Sequence, residues 1–209
     1  MDELFVSLHC FKFGSFEDSA GKKELFQKIN RIAEELSKKG IFVCRQFFSI
    51  KYNADLILFN IAGSYELLFS FKEKLTAISD KILTETYSYF SVYEHPNTQY
   101  LKEDDETKYL VAYPVKKDPA WYLLDKSEQE RITKEHVSMA VNDPNNKKIR
   151  SYTTYSFAVD DFEFLVLYEV ASLPEWMRVA RDLRKAEARK WITVESPVFV
   201  GEKVGLLID

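Results

Sequence analysis

Two stretches of the chain carry the same message: Ala54-Asp55-Leu56-Ile57-Leu58-Phe59 leading into Ala62-Gly63-Ser64, and Phe162-Glu163-Phe164-Leu165-Val166-Leu167 leading into Val170-Ala171-Ser172. Each is an apolar run of strand length that closes on small residues. Each is followed by a stretch with helical spacing of apolar positions. Reading outward from both copies gives the same order of elements twice, so the chain is read as an internal duplication.

In the first half, Leu4–Phe13 reads as a strand and Lys22–Lys38 as a helix with Leu25, Ile29, Ile32 and Leu36 on one face. Gly40 stands where a helix C-terminal cap belongs. Strands Ile41–Ile50 and Ala54–Ala62, a helix Tyr65–Ser79 and a strand Tyr87–Tyr93 follow. The second half repeats the order. Tyr109–Val115 is a strand, and Ser127–Val141 a helix opening on a capping-box pattern, Ser127 with Glu130. Strands Lys148–Val159 and Glu163–Ala171 come next, then a helix from Pro174 to about Lys190 and a strand Ser196–Lys203. Each half is a β-α-β-β-α-β, ferredoxin-like unit. The predicted class is α+β: two tandem units forming an α/β-barrel of the dimeric type, with helices outside. A four-stranded sheet with helices on one face leaves its other face to be covered, and two such sheets in one chain cover each other. The polar stretch His95–Thr107 divides the chain into residues 1–95, a linker 96–107, and 108–209.

With 209 residues, 46% of them hydrophobic, the chain has ample material for a core. The net charge of -4 gives no reason to expect nucleic acid or an anionic membrane as partner. The start is acidic and runs straight into a strand pattern, unlike a signal peptide, and no apolar run is long enough to span a bilayer, so a cytoplasmic protein is expected. Cys10 and Cys44 both fall in strands and read as buried free thiols.

Three histidines are present, His9, His95 and His136. His136 shares a helix face with Ile132, Met139 and Ala140, so it points to the apolar side. No second His or Cys is spaced to complete a protein-only metal site; a single imidazole in an apolar pocket suffices for haem. By itself an inward histidine also fits a hydrogen-bonded core residue. Glu187 falls in a stripe with Trp176, Ala180 and Leu183, placed either to orient a ligating imidazole or to form a salt bridge at a helix margin. Tyr113 and Trp121 fit core aromatics and the lysines between them fit a solvated edge. No phosphate loop, dinucleotide fingerprint or nucleophile elbow occurs.

The second half resembles the chlorite dismutase family, which includes the coproheme decarboxylases. The residues that carry the resemblance are Tyr113-Pro114, Lys117, Trp121-Tyr122, Leu124, Glu130-Arg131, His136, Asp160-Asp161-Phe162-Glu163-Phe164, Glu169, Leu183-Arg184 and Glu187-Ala188, spanning roughly residues 108–202. The first half resembles the family only in fold. The resemblance implies haem b or iron coproporphyrin III held in the second half, with His136 as iron ligand and Trp121 and Glu187 beside it. It implies Tyr113 as the redox and proton relay and Lys117 as its helper at a propionate. The residue over the iron corresponds to Ser151, with Arg150 as its neighbour. Successive strand residues face opposite ways, so only one of the two faces the porphyrin. The implied function is peroxide-dependent decarboxylation of iron coproporphyrin in haem biosynthesis, by a homo-oligomer that in this family is a pentamer. The alternatives are a haem carrier or sensor without turnover, and a chlorite dismutase or weak peroxidase, which would need Arg150 over the iron.

Overall fold

The computed structural model describes residues 3–14, 19–79 and 82–206. The acidic start at Met1-Asp2 and residues 207–209 of the second half lie outside the described residues. The first unit comprises β1 (Glu3–Phe13), α1 (Ser19–Ser37), β2 (Phe42–Ser49), β3 (Leu56–Ala62), α2 (Tyr65–Ser79) and β4 (Leu83–Glu94). The second comprises β5 (Tyr109–Lys117), α3 (Lys126–Asn142), β6 (Ile149–Tyr155), β7 (Phe164–Val170), α4 (Leu173–Asp182), a short β8 (Ile192–Val194) and β9 (Phe199–Lys203).

The strand order runs β7-β6-β4-β1-β3-β2-β9-β5, and β5 returns to pair with β7. The sheet therefore closes. Each half supplies four antiparallel strands in the ferredoxin-like order, fourth-first-third-second, and the halves join at two seams. At one seam β2 meets β9 through Phe47–Ser49 and Gly201–Lys203. At the other, β4 meets β6 at Val92 and Tyr155. The first seam needs a glycine: a Cβ on Gly201 would stand 2.8 Å from Phe47 Cβ and 2.9 Å from the Phe48 carbonyl oxygen. The expected doubled βαββαβ barrel with outer helices is the fold observed. Among the described residues no helix is long and apolar enough to cross a membrane.

Closure gives every strand an inner and an outer face. Leu8, Phe47, Phe59, Leu110, Leu167 and Phe199 fill the inside. On the outside of the first half, α1 and α2 press Leu25, Ile29, Leu36, Phe71 and Leu75 onto Leu56 and Leu58. On the outside of the second half, α4 lays Trp176 and Val179 over Val111 and Val170.

Several boundaries differ from the sequence reading. The cap of α3 is Asp125, ahead of the Ser127 pattern, so Ser127 lies inside the helix and the capping box does not form. The last helix stops at Asp182; 3-10 turns at Leu183–Lys185 and Glu187–Trp191 replace its continuation to Lys190. Strand β4 begins at Leu83 rather than Tyr87, and β6 ends at Tyr155 rather than Val159. Pro174 opens α4 as expected, behind Ser172, whose hydroxyl accepts from the Glu175 amide. Cys10 and Cys44 are both free thiols.

One ionic tie crosses the barrel. Arg45 of β2 donates to Glu169 of β7 at 2.8 Å and to the Tyr152 hydroxyl at 3.1 Å, and its other amino group donates to the carbonyls of Tyr100 and Lys102 in the segment joining the halves. Arg45 and Glu169 are buried, the latter fully. Breaking such a pair strands a charge away from water. Glu169→Leu is expected to lower unfolding stability by roughly 3–5 kcal/mol, while Arg45→Met combined with Glu169→Leu loses less than Glu169→Leu alone; urea unfolding of the three proteins checks it.

Candidate functional site

Helices α1 and α3 occupy equivalent places in the two units, yet they are used differently. α1 buries Leu25, Phe26, Ile29, Ile32 and Leu36 against its sheet. α3 buries only Ile132. Polar ties fasten α3 at its edges instead. The Gln129 amide donates to the carbonyls of Trp121 at 3.2 Å and Leu124 at 3.0 Å. Arg131 donates to Glu187 at 2.7 Å, and Glu135 accepts from the Glu187 amide at 3.0 Å. The helix is thus hung between two 3-10 turns and is not pressed onto the strands. His136 projects from it, half-buried, with Nδ1 enclosed and without a hydrogen-bond partner in the protein. A buried unpaired imidazole nitrogen is costly unless something binds it. Burial, aided by the charge of Arg189, lowers the His136 pKa and favours the neutral ring, the form that ligates a metal.

The facing surface is the outer side of β5, β6 and β7. Register places Thr153, Val166 and Tyr113 in one row and Ser151, Tyr168 and Val111 in the next. α4 covers the second row at one end, where Trp176 stacks on Tyr168 with ring centres 4.0 Å apart. Ser151 and Thr153 stay exposed. Tyr113 is half-buried beside Tyr168, ring centres 6.1 Å apart, and burial raises its pKa so that the phenol keeps its proton. At the end of β5 the Lys117 ammonium sits 3.4 Å over the Trp121 ring and 5.6 Å from that of Phe164. Burial pulls its pKa down to about 8, opposed by the nearby Glu163. Lys117 is therefore not the solvated edge residue that its sequence neighbours suggest. Trp121 is buried and packs on Trp191, ring centres 5.9 Å apart.

The structure thus brings His136, Tyr113, Lys117, Trp121 and Ser151 to one side of the sheet. Arg150 is not with them. Its register partner is Glu169, whose side chain lies inside the barrel, and its guanidinium is held by Asp104 at 3.1 Å and the Lys102 carbonyl at 2.7 Å. Glu187 does not orient His136 either: its carboxylate binds Arg131 at 2.7 Å and Lys190 at 3.1 Å. The physical reason is the early end of α4, which puts Glu187 at the head of a turn and not on the helix stripe. Arg189 and Glu195 were missed by the sequence reading. They pair with each other, and Arg189 sits near enough to act electrostatically on both His136 and Tyr113. The alternating charges around residues 184–195 carried no periodic signal that would single them out. Among the described residues no cluster of three or more His, Cys, Asp or Glu is placed to hold a metal ion, so any metal here rests on one imidazole and a group that brings its remaining ligands.

An iron porphyrin fits these features: a half-buried imidazole with an unpartnered Nδ1 and a lowered pKa, on a helix held off the sheet, an apolar and aromatic facing surface, and a cation at its rim. Comparison with known proteins points the same way. The coproheme decarboxylase of Mycolicibacterium smegmatis is 31% identical over 107 residues, 51% of this chain; the matched part is 45% of that enzyme's length. A crystal structure with a provisional chlorite dismutase assignment superposes with a TM-score of 0.89 at 34% identity, covering 98% of this chain and 96% of the other. A protein of Thermus thermophilus, described as heme-binding, shares the fold at a TM-score of 0.82 and 18% identity, covering 97% and 92% of the two chains. The family pattern described as chlorite dismutase matches residues 22–204, and the chain belongs to that family.

Proposed function

We propose that this protein is a peroxide-dependent coproheme decarboxylase: it binds iron coproporphyrin III as substrate in the slot under α3 and converts propionate groups to yield haem b. The observation that carries the reading is His136, half-buried with its Nδ1 unpartnered, on a helix that does not pack down. In this reading His136 ligates the iron, and the porphyrin plane lies against Val166, Thr153 and Ser151. Trp121 closes the rim. Bound there, the iron porphyrin supplies the oxidising chemistry that peroxide drives. The protein's own work is positional. Tyr113, a phenol held protonated by burial, would lose an electron and its proton and then take a hydrogen atom back from the propionate chain. The carbon radical so formed would lose carbon dioxide and pass a second electron to the oxidant, so that one propionate and one hydrogen peroxide give a vinyl group, carbon dioxide and two waters. Lys117 holds the propionate carboxylate until carbon dioxide leaves. The reading extends to a homo-oligomer, a pentamer as the family resemblance implies, acting in the cytoplasm.

The 31% identity to a named coproheme decarboxylase supports this over chlorite chemistry. So does the orientation of Arg150: chlorite splitting needs a fixed cation over the iron, and Arg150 is tied to Asp104 and pairs in register with Glu169, away from the face that carries Ser151. Incubation with iron coproporphyrin and peroxide, followed by porphyrin mass analysis, tests the reading; an unchanged mass with a bound Soret band would favour a carrier instead.

Three outcomes are expected. His136→Ala loses the axial-ligand signature in the visible spectrum of the titrated porphyrin, with far-ultraviolet circular dichroism unchanged. Tyr113→Phe retains porphyrin affinity and slows decarboxylation by roughly a hundredfold or more, read in single-turnover assays. Lys117 is charged below its pKa of about 8 and neutral above it. Affinity for the carboxylate-bearing porphyrin should therefore fall as pH rises through that value, and the fall should vanish in Lys117→Met.

A further inference from the structure

Tyr113 is the first of three oxidisable rings standing in series. Its ring centre lies 6.1 Å from that of Tyr168 at an interplanar angle of 31°. Tyr168 in turn lies 4.0 Å from Trp176, also at 31°. Tyr113 belongs to the slot; Trp176 belongs to α4, where it is 8% exposed and packed among Val111, Val170 and Val179. Phenol and indole are the side chains that most readily lose one electron, and rings this close exchange electrons without an intervening saturated group. Trp121 and Trp191 form a separate pair.

We propose that Tyr113, Tyr168 and Trp176 form a relay that carries an oxidising equivalent out of the slot to α4 when no propionate stands at Tyr113. The protective use of the relay rests on the decarboxylase reading; the electronic coupling of the rings does not. Each step moves one electron and one proton. Oxidised Tyr113, a neutral phenoxyl, takes both from Tyr168 and becomes a phenol again. Tyr168 takes both from Trp176, whose indole N–H bond breaks. A one-electron donor of the ascorbate or thiol class restores Trp176. Without such a donor, the net result is one oxygen atom passed from hydrogen peroxide to the indole, with water as the other product. The relay spares the residue on which turnover depends.

Pulse radiolysis with azide radicals, applied to the protein without porphyrin, oxidises indoles first. The measurement reads the same couplings in their downhill direction, the reverse of the outward step, which the donor draws forward by consuming the indolyl radical. The expected result is an intramolecular phase, independent of protein concentration, in which indolyl absorbance converts to phenoxyl absorbance. That phase should persist in Trp191→Phe and be lost in both Trp176→Phe and Tyr168→Phe. A phase unchanged in Tyr168→Phe overturns the relay. In protein loaded with haem b and treated with peroxide, mass spectrometry should find oxygenated Trp176, reduced to the level of the peroxide-free control in Tyr168→Phe. Oxygenation of Trp176 that persists in Tyr168→Phe also overturns it. Failure to bind any porphyrin with the radiolytic phase intact would sink the decarboxylase reading and leave the relay standing.

Discussion

Closure of the sheet is the constraint on which the rest depends. Once β5 pairs with both β7 and β9, and β2 and β4 are joined to the second half, no strand has a free choice of face. One side of each strand must fill the barrel, and the other must meet a helix or solvent. The candidate site residues that the strands of the second half supply stand on the outer side. Val111, Tyr113, Val166 and Tyr168 alternate with Leu110, Ala112, Leu165 and Leu167, which belong to the interior. The site is therefore not a pocket inside the barrel. It is a layer between barrel and helix.

That layer exists because the duplication is imperfect. The first unit lays five apolar residues of α1 on its sheet. The second unit spends the same position on a helix with charged flanks, one buried isoleucine and a histidine. Leaving a helix unpacked forfeits the burial energy that normally holds it. The ties from Gln129, Arg131 and Glu135 compensate at its edges.

The doubled order of elements was legible because strand and helix periods differ and were repeated twice; α2 was even placed to the residue. The inward turn of His136 was legible from its helix face, although the ligand role proposed for it comes from the resemblance and not from spacing. Ends were harder. The Ser127 pattern lost to Asp125, one of several residues in that stretch able to cap. The apolar stripe of α4 ran on past Asp182 in sequence, but the 3-10 turns that end it arise from tertiary contacts with α3, which a local pattern does not contain. Glu187 was misplaced for that reason. From its neighbours alone Lys117 fits a solvated edge, because nothing in them reveals that Trp121 folds back beneath it; its choice as a candidate site residue came from the resemblance.

Ser151 and Arg150 show how a distant interaction decides a local question. A one-residue slip of β6 against β7 would exchange them and turn the cation toward the slot. Apolar patterning resists such a slip poorly here, since β6 reads Ile149-Arg150-Ser151-Tyr152-Thr153-Thr154-Tyr155, with polar residues on both faces. What pins it is the interior. Tyr152 is fully buried, bonded to Glu169 and Arg45, and Thr154 donates to the Leu165 carbonyl at 2.7 Å and accepts from the Ser91 hydroxyl. Slipping the strand would push Ser151 and Thr153 inside and strand Glu169 and Arg45 without the tyrosine that completes their set. A buried ionic pair adds little net stability but penalises every arrangement that breaks it. The chemistry available on the outer face of the second half is in this way selected by an ion pair inside the barrel, half of which is contributed by the first.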